Sequence, residues 1–241
     1  MDGPLVRRRN ERFCLARVFI AILLLPWTVG GKEGVCGARS QRDGDIQLQW
    51  ACVAMNNKGG ELHWEKITRG ATLEAGAQIK MYFRLEKKAF VYVIHQNAAG
   101  ELNLLFPLRF YGPDSEPRRG QSYYLPGGDA WLALGEGAGE ENIFLLVGTE
   151  RMVRLEELLG DYAVSAKEKK PNLAGEVLRE IQALRSKHRD LSASAERPIT
   201  MAGRVRGMQE PVASSQPDVA LLADEITAAG FFSRTIAIQR S

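Results

Sequence analysis

Histidine and cysteine are scarce: three of each in 241 residues. His63, His95 and His188 stand far apart, and no His-Glu-x-x-His, Cys-x-x-Cys or Gly-x-Ser-x-Gly occurs. Zinc hydrolysis, dithiol exchange and the serine elbow therefore lack their usual signatures, and no metal ligand set or cofactor is expected. The glycine-rich "GEGAGEE" has neither the lysine and hydroxyl of a phosphate loop nor the spacing of a dinucleotide fingerprint, and reads as a flexible connection. Long apolar runs are missing too. The longest, "VFIAILLLPWTV", is interrupted by Pro26 and falls short of the ~20 residues needed to span a bilayer.

That run follows the basic stretch "VRRRNERFCLAR", and the pair reads as an export signal over residues 1–38. Cleavage fits after Gly30 or Gly31, or after Ala38; the alternative is an uncleaved anchor in the inner membrane. Residues 1–38 hold six Lys/Arg and three Asp/Glu, which leaves 26 of each in the remainder. A neutral mature chain gives no ground for nucleic-acid binding, which needs a clustered basic surface. Cys14 lies in the signal. Cys36 and Cys52 could pair after export, but Cys52 is in phase with Ile46, Leu48 and Trp50, so a buried free thiol is equally expected.

What is present is a series of strands. "QIKMYFRLE" alternates cleanly, with Ile79, Met81, Phe83 and Leu85 inward and Lys80, Tyr82, Arg84 and Glu86 on a wet face. "AFVYVI" is apolar throughout and reads as a strand covered on both faces. "NAAG" turns the chain at Gly100, and "ELNLLF" returns with Leu102, Leu104 and Phe106 on one face. "NIFLLVGT" is a second covered strand. Residues 39–149 thus read as a domain of successive strands.

The period changes after Thr149, which is placed as a helix cap. Met152, Leu155, Leu158, Leu159 and Tyr162 have helical spacing, as do Leu173, Val177, Ile181, Leu184 and His188. "PDVALLADEITAAG" predicts a third helix stopped by Gly230, and "FFSRTIAIQ" a final strand. Residues 150–241 are accordingly expected as a helical extension whose last strand joins the same domain.

The marks from Gly70 to Val147 resemble a bacterial family, domain of unknown function 4384. They are Gly70, Leu73 and Gly76 in "GATLEAGAQI", the tyrosine-rich strand ending in Leu105, Phe106 and Pro107, then Leu125-Pro126, and Gly139 and Glu141 before the closing strand. Ala77 departs from the acidic residue usual after the second glycine. The resemblance implies that residues 39–149 form an antiparallel β-sandwich, expected to be of immunoglobulin-like type, as in exported or envelope proteins, and it brings no catalytic residues.

His95 falls where a strand gives way to its turn and reads as a rim residue. Glu140 and Glu141 point to opposite faces of a strand, and Glu156 and Glu157 are placed on the wet side of a helix. The binding candidates lie in the loop segment: Arg109, Phe110, Tyr111, Arg118, Arg119, Tyr123, Tyr124 and Trp131, a mixture of aromatic planes and guanidinium groups suited to a protein partner or a cell-wall glycan. The expected function is a non-catalytic binding or accessory module of the cell envelope, periplasmic or extracellular. The alternative is an envelope hydrolase using Glu141 with His95.

Overall fold

A computed structural model describes residues 45–58, 61–74, 76–112, 115–135, 139–189, 195–198 and 218–240. The segment read as a signal, with Cys14 and Cys36, lies outside them. Two sheets are stacked. The first is built on β1 (Asp45–Lys58), which pairs along one edge with β4 (Gln78–Leu85) and along the other with β2 (Glu61–Lys66) and β11 (Asp224–Ala229). The second runs in the order β3 (Gly70–Leu73), β12 (Phe231–Arg240), β9 (Gly139–Gly148), β5 (Phe90–Gln96) and β6 (Leu102–Phe106). Strands β7 (Ser122–Leu125) and β8 (Leu132–Ala133) complete the far edge of β4, and β10 (Ala195–Pro198) caps β11.

Period two explains the layering. Val91 and Val93 of β5, Ile143, Leu145 and Val147 of β9, and Ile236 and Ile238 of β12 face the first sheet's Trp50, Cys52, Ile79, Met81 and Phe83. The intervening residues Tyr92, Ile94, Phe144, Leu146 and Phe231 face the helices α1 (Val153–Val164) and α2 (Lys170–Lys187). Both strands read as doubly covered are so, one face in each cluster. Each fully buried Leu, Ile or Phe in them contributes about 1.5–3 kcal/mol of transfer free energy. Cys52 is a buried free thiol. The helical spacing is also borne out: Leu155, Leu158, Leu159, Tyr162, Val177 and Ile181 are buried, with Pro171 in the first turn of α2.

Several expectations are corrected. The pairing is not wholly antiparallel, because β12 runs parallel to β3. The helices are not appended at the end of the chain; α1 and α2 lie between β9 and β10. Among the described residues 218–230 the expected third helix is absent. A short 3-10 turn, Val219–Leu222, leads into β11, whose Ile226 and Ala228 are buried at period two. Gly230, with φ +69, turns β11 into β12 rather than stopping a helix. Thr149 does not cap α1: Met152 occupies the cap without a side-chain bond, and Thr149 bonds to Gly230 O instead. The outer face of β4 is not wet. Val219 and Ala223 pack over Tyr82, and Lys80 is buried with its Nζ donating to Gly128 O at 2.5 Å and Ala130 O at 2.7 Å.

The β5–β6 hairpin carries a further correction. Ile94 pairs with Leu104, but Val93 pairs with Phe106, so Leu105 is an extra residue in a β-bulge. Leu102 and Leu104 therefore join the helix-side cluster, while Leu105 and Phe106 turn to the space between the sheets.

Candidate functional site

Two sheet edges face one another on one flank of the sandwich. Strand β6 ends the second sheet and β7 ends the main path of the first. Between them lies a groove of about 810 Å³. Its lining is mostly apolar: Leu104, Leu105, Phe106, Leu108, Tyr123 and Leu125. The bulge produces this, since it directs Leu105 and Phe106 toward the seam. Tyr123 stacks on Phe83 with centroids 4.8 Å apart and takes the edge of Phe106 at 5.4 Å, joining the sheets at the groove floor. Leu108 is 84% exposed beside it.

Four of the eight candidates converge here: Arg109, Arg118, Tyr123 and Tyr124. Arg118 N–H donates to Tyr123 OH at 2.8 Å, fixing the loop over the ring. Tyr124 OH donates to Asp218 Oδ1 at 3.2 Å, and burial together with that carboxylate raises its pKa. The other four go elsewhere. Phe110 and Tyr111 are held by Arg151, whose Nη2 donates to Phe110 O at 2.7 Å and whose guanidinium lies 4.8 Å from the Tyr111 ring. Trp131 packs against Trp64 at 5.2 Å, with Lys80 over its ring. Arg119 is exposed in the preceding turn.

Chemistry-bearing groups also meet away from the groove, among them the His95 and Glu141 of the alternative reading. His95 is not a rim residue: it continues the inward phase of Val91 and Val93, and its Nε2 lies 2.6 Å from Glu141 Oε2. Their side chains are 5% and 1% exposed. Glu141 Oε1 accepts from Gly135 N–H at 3.1 Å and lies 3.1 Å from Arg240 Nε. Arg240 also donates to Gly135 O. A histidine donating to that carboxylate carries its proton on Nε2, and His95 Nδ1 has no partner among the described residues. The sequence reading passed over Arg240, although it continues the phase of Ile236 and Ile238.

Glu156 is likewise not on a wet face. It is buried, accepting from Tyr92 OH at 2.5 Å and from Arg151 at 2.5 and 3.2 Å, while Glu157 is exposed and pairs with Arg154. Burial, then the bond to Glu156, pushes the Tyr92 phenol well above its ordinary range.

Among the described residues no group of three or more His, Cys, Asp or Glu could hold a metal ion, and no helix is long and apolar enough to cross a membrane. No curated protein and no solved structure matches the chain. The matched part runs from within β3 through β9 and leaves out β1, β2, β11, β12 and both helices: residues 72–151 match the family model described as a domain of unknown function, DUF4384.

Proposed function

We propose that the protein is an exported, non-catalytic binding module of the cell envelope that engages a protein partner through the groove between β6 and β7. The observation that carries this reading is the groove itself: half-buried apolar side chains of two sheets reach its surface, rimmed by Arg109 and Arg118. Exposed apolar surface rimmed by polar groups marks interaction sites, and tyrosine and arginine dominate their energetics. The immunoglobulin-like sandwich type and a periplasmic or extracellular location belong to the same reading, as does the alternative of an inner-membrane anchor. Replacing Arg109, Arg118 and Tyr124 together with alanine should reduce recovery of a partner from the envelope fraction by at least about tenfold, a loss of ~1.4 kcal/mol. The melting temperature should fall only through the Tyr124–Tyr82 contact, and Arg109→Ala alone should leave it nearly constant. Recovery equal to wild type, checked by direct binding of the purified partner, would overturn the assignment.

One observation favours a hydrolase using Glu141 and His95, namely their 2.6 Å contact. Against it, both side chains are buried, and the second Glu141 oxygen is occupied by Gly135 and Arg240. A general base must reach the proton that it abstracts. This pair is better read as a structural clamp.

A further inference from the structure

We infer that the groove's occupant is an extended, acidic segment of the partner protein, which adds as a further strand to the free edge of β6. This rests on the binding-module reading and specifies its ligand. The first support is backbone polarity. Leu102 N–H donates to Tyr162 OH at 2.9 Å rather than to β5, so residues of its parity turn their N–H and C=O out of the sheet. Leu104 has that parity and lies in the groove wall. Among the described residues no strand pairs with that edge and no loop backbone bonds to residues 103–106. An unpaired edge beside an apolar trough offers both parts of strand addition: main-chain bonds for affinity, and pockets for alternate side chains.

The second support is charge. Glu116, the carboxylate at the groove, is already paired with Lys88 at 3.1 Å. Arg109, on the groove rim, is exposed and forms no hydrogen bond or ion pair with the described residues. Complementarity therefore asks for carboxylates on the incoming segment. A second copy of the chain fits less well, because a two-fold pairing would set the same arginine-bearing rim against itself. A glycan fits less well too. The Tyr123 ring is stacked on Phe83, and the Tyr124 ring packs on Tyr82 at 5.3 Å, so neither is an open platform for a sugar.

The test uses the folded protein and three fluorescein-labelled peptides, read by anisotropy. One alternates valine and glutamate, the second valine and lysine, and the third repeats the first with every amide N-methylated. The glutamate peptide should bind saturably, the lysine peptide at least about tenfold more weakly, and N-methylation should abolish binding, since it removes the strand's donors. Arg109→Glu, a change at an exposed position, should reverse the preference between the first two. Three results would overturn strand addition: no saturable binding of any peptide, equal binding of the N-methylated form, or an unchanged preference in Arg109→Glu. Displacement by chitooligosaccharide alone, or a concentration-dependent dimer sensitive to Arg109→Glu, would also replace the peptide with another occupant while leaving a binding groove. Partner recovery indifferent to Arg109, Arg118 and Tyr124 would instead remove the groove itself.

Discussion

The second sheet has a buried carboxylate on each face, and the two are clamped alike but not equally. On the inner face Glu141 holds His95 and Arg240; on the outer face Glu156 holds Tyr92 and Arg151. Each carboxylate thus has one ring donor and one guanidinium. The difference is water. The Arg240 side chain is 5% exposed, whereas that of Arg151 is 32% exposed. An ion removed wholly from solvent depends on its partner for nearly all its compensation, whereas one at the boundary keeps some hydration. The same two side-chain types therefore make a rigid internal clamp in one place and a tether in the other. The tether has a second task, since Arg151 also fixes Phe110 and Tyr111 beside the helices.

That contrast is open to measurement. Arg240→Ala leaves Glu141 buried without its cation and should cost about 3–5 kcal/mol in urea unfolding. Arg151→Ala should cost less, about 1–3 kcal/mol, because water can reach the gap. Equal losses would erase the distinction.

A smaller effect should appear at alkaline pH. Burial holds the Cys52 thiol up to about 12 from an ordinary 9.0, and burial with the Glu156 bond raises the Tyr92 phenol above its ordinary 10.0. Both groups keep their protons longer when folded. Their contribution is complete below the unfolded-state values and falls as pH rises, from about 9 for the thiol and about 10 for the phenol. Stability should therefore decline across that window, and Tyr92→Phe with Cys52→Ala should flatten the decline. If the slope is unchanged, neither proton is held by the fold.

Gly100→Val sets the scale from outside both clusters. Gly100 has φ +81 in the hairpin turn with open space around it, so only backbone strain should register, about 1 kcal/mol. A loss as large as that of Arg240→Ala would mean that local strain rivals a buried ion.

The readable parts of the sequence were those governed by period. Val91 and Val93, Ile143, Leu145 and Val147, and the apolar positions of both helices declare their faces through spacing alone. Period also held a clue that position obscured: His95 and Glu141 are in phase with buried neighbours, but His95 stands next to a turn. Residues 217–230 failed for a different reason. "VALLADEITA" is a short apolar run that fits a helix, yet Ile226 and Ala228 satisfy a strand equally. Partners distant in sequence were invisible. Tyr82 is covered by Val219 and Ala223, Glu156 meets Tyr92 sixty-four positions away, and Phe110 is held by Arg151. The groove was legible by half: composition pointed to Arg109, Arg118, Tyr123 and Tyr124, but the bulge at Leu105 that opens the trough left no mark in the alternation.

Strand β12 lies between β9 and β3, so the interior of that sheet comes from the last described residues to leave the ribosome. A nascent chain stopped before Phe231 would lose an interior strand of that layer, along with the cation that neutralises Glu141. Assembly of that sheet must wait until Phe231–Arg240 have been made.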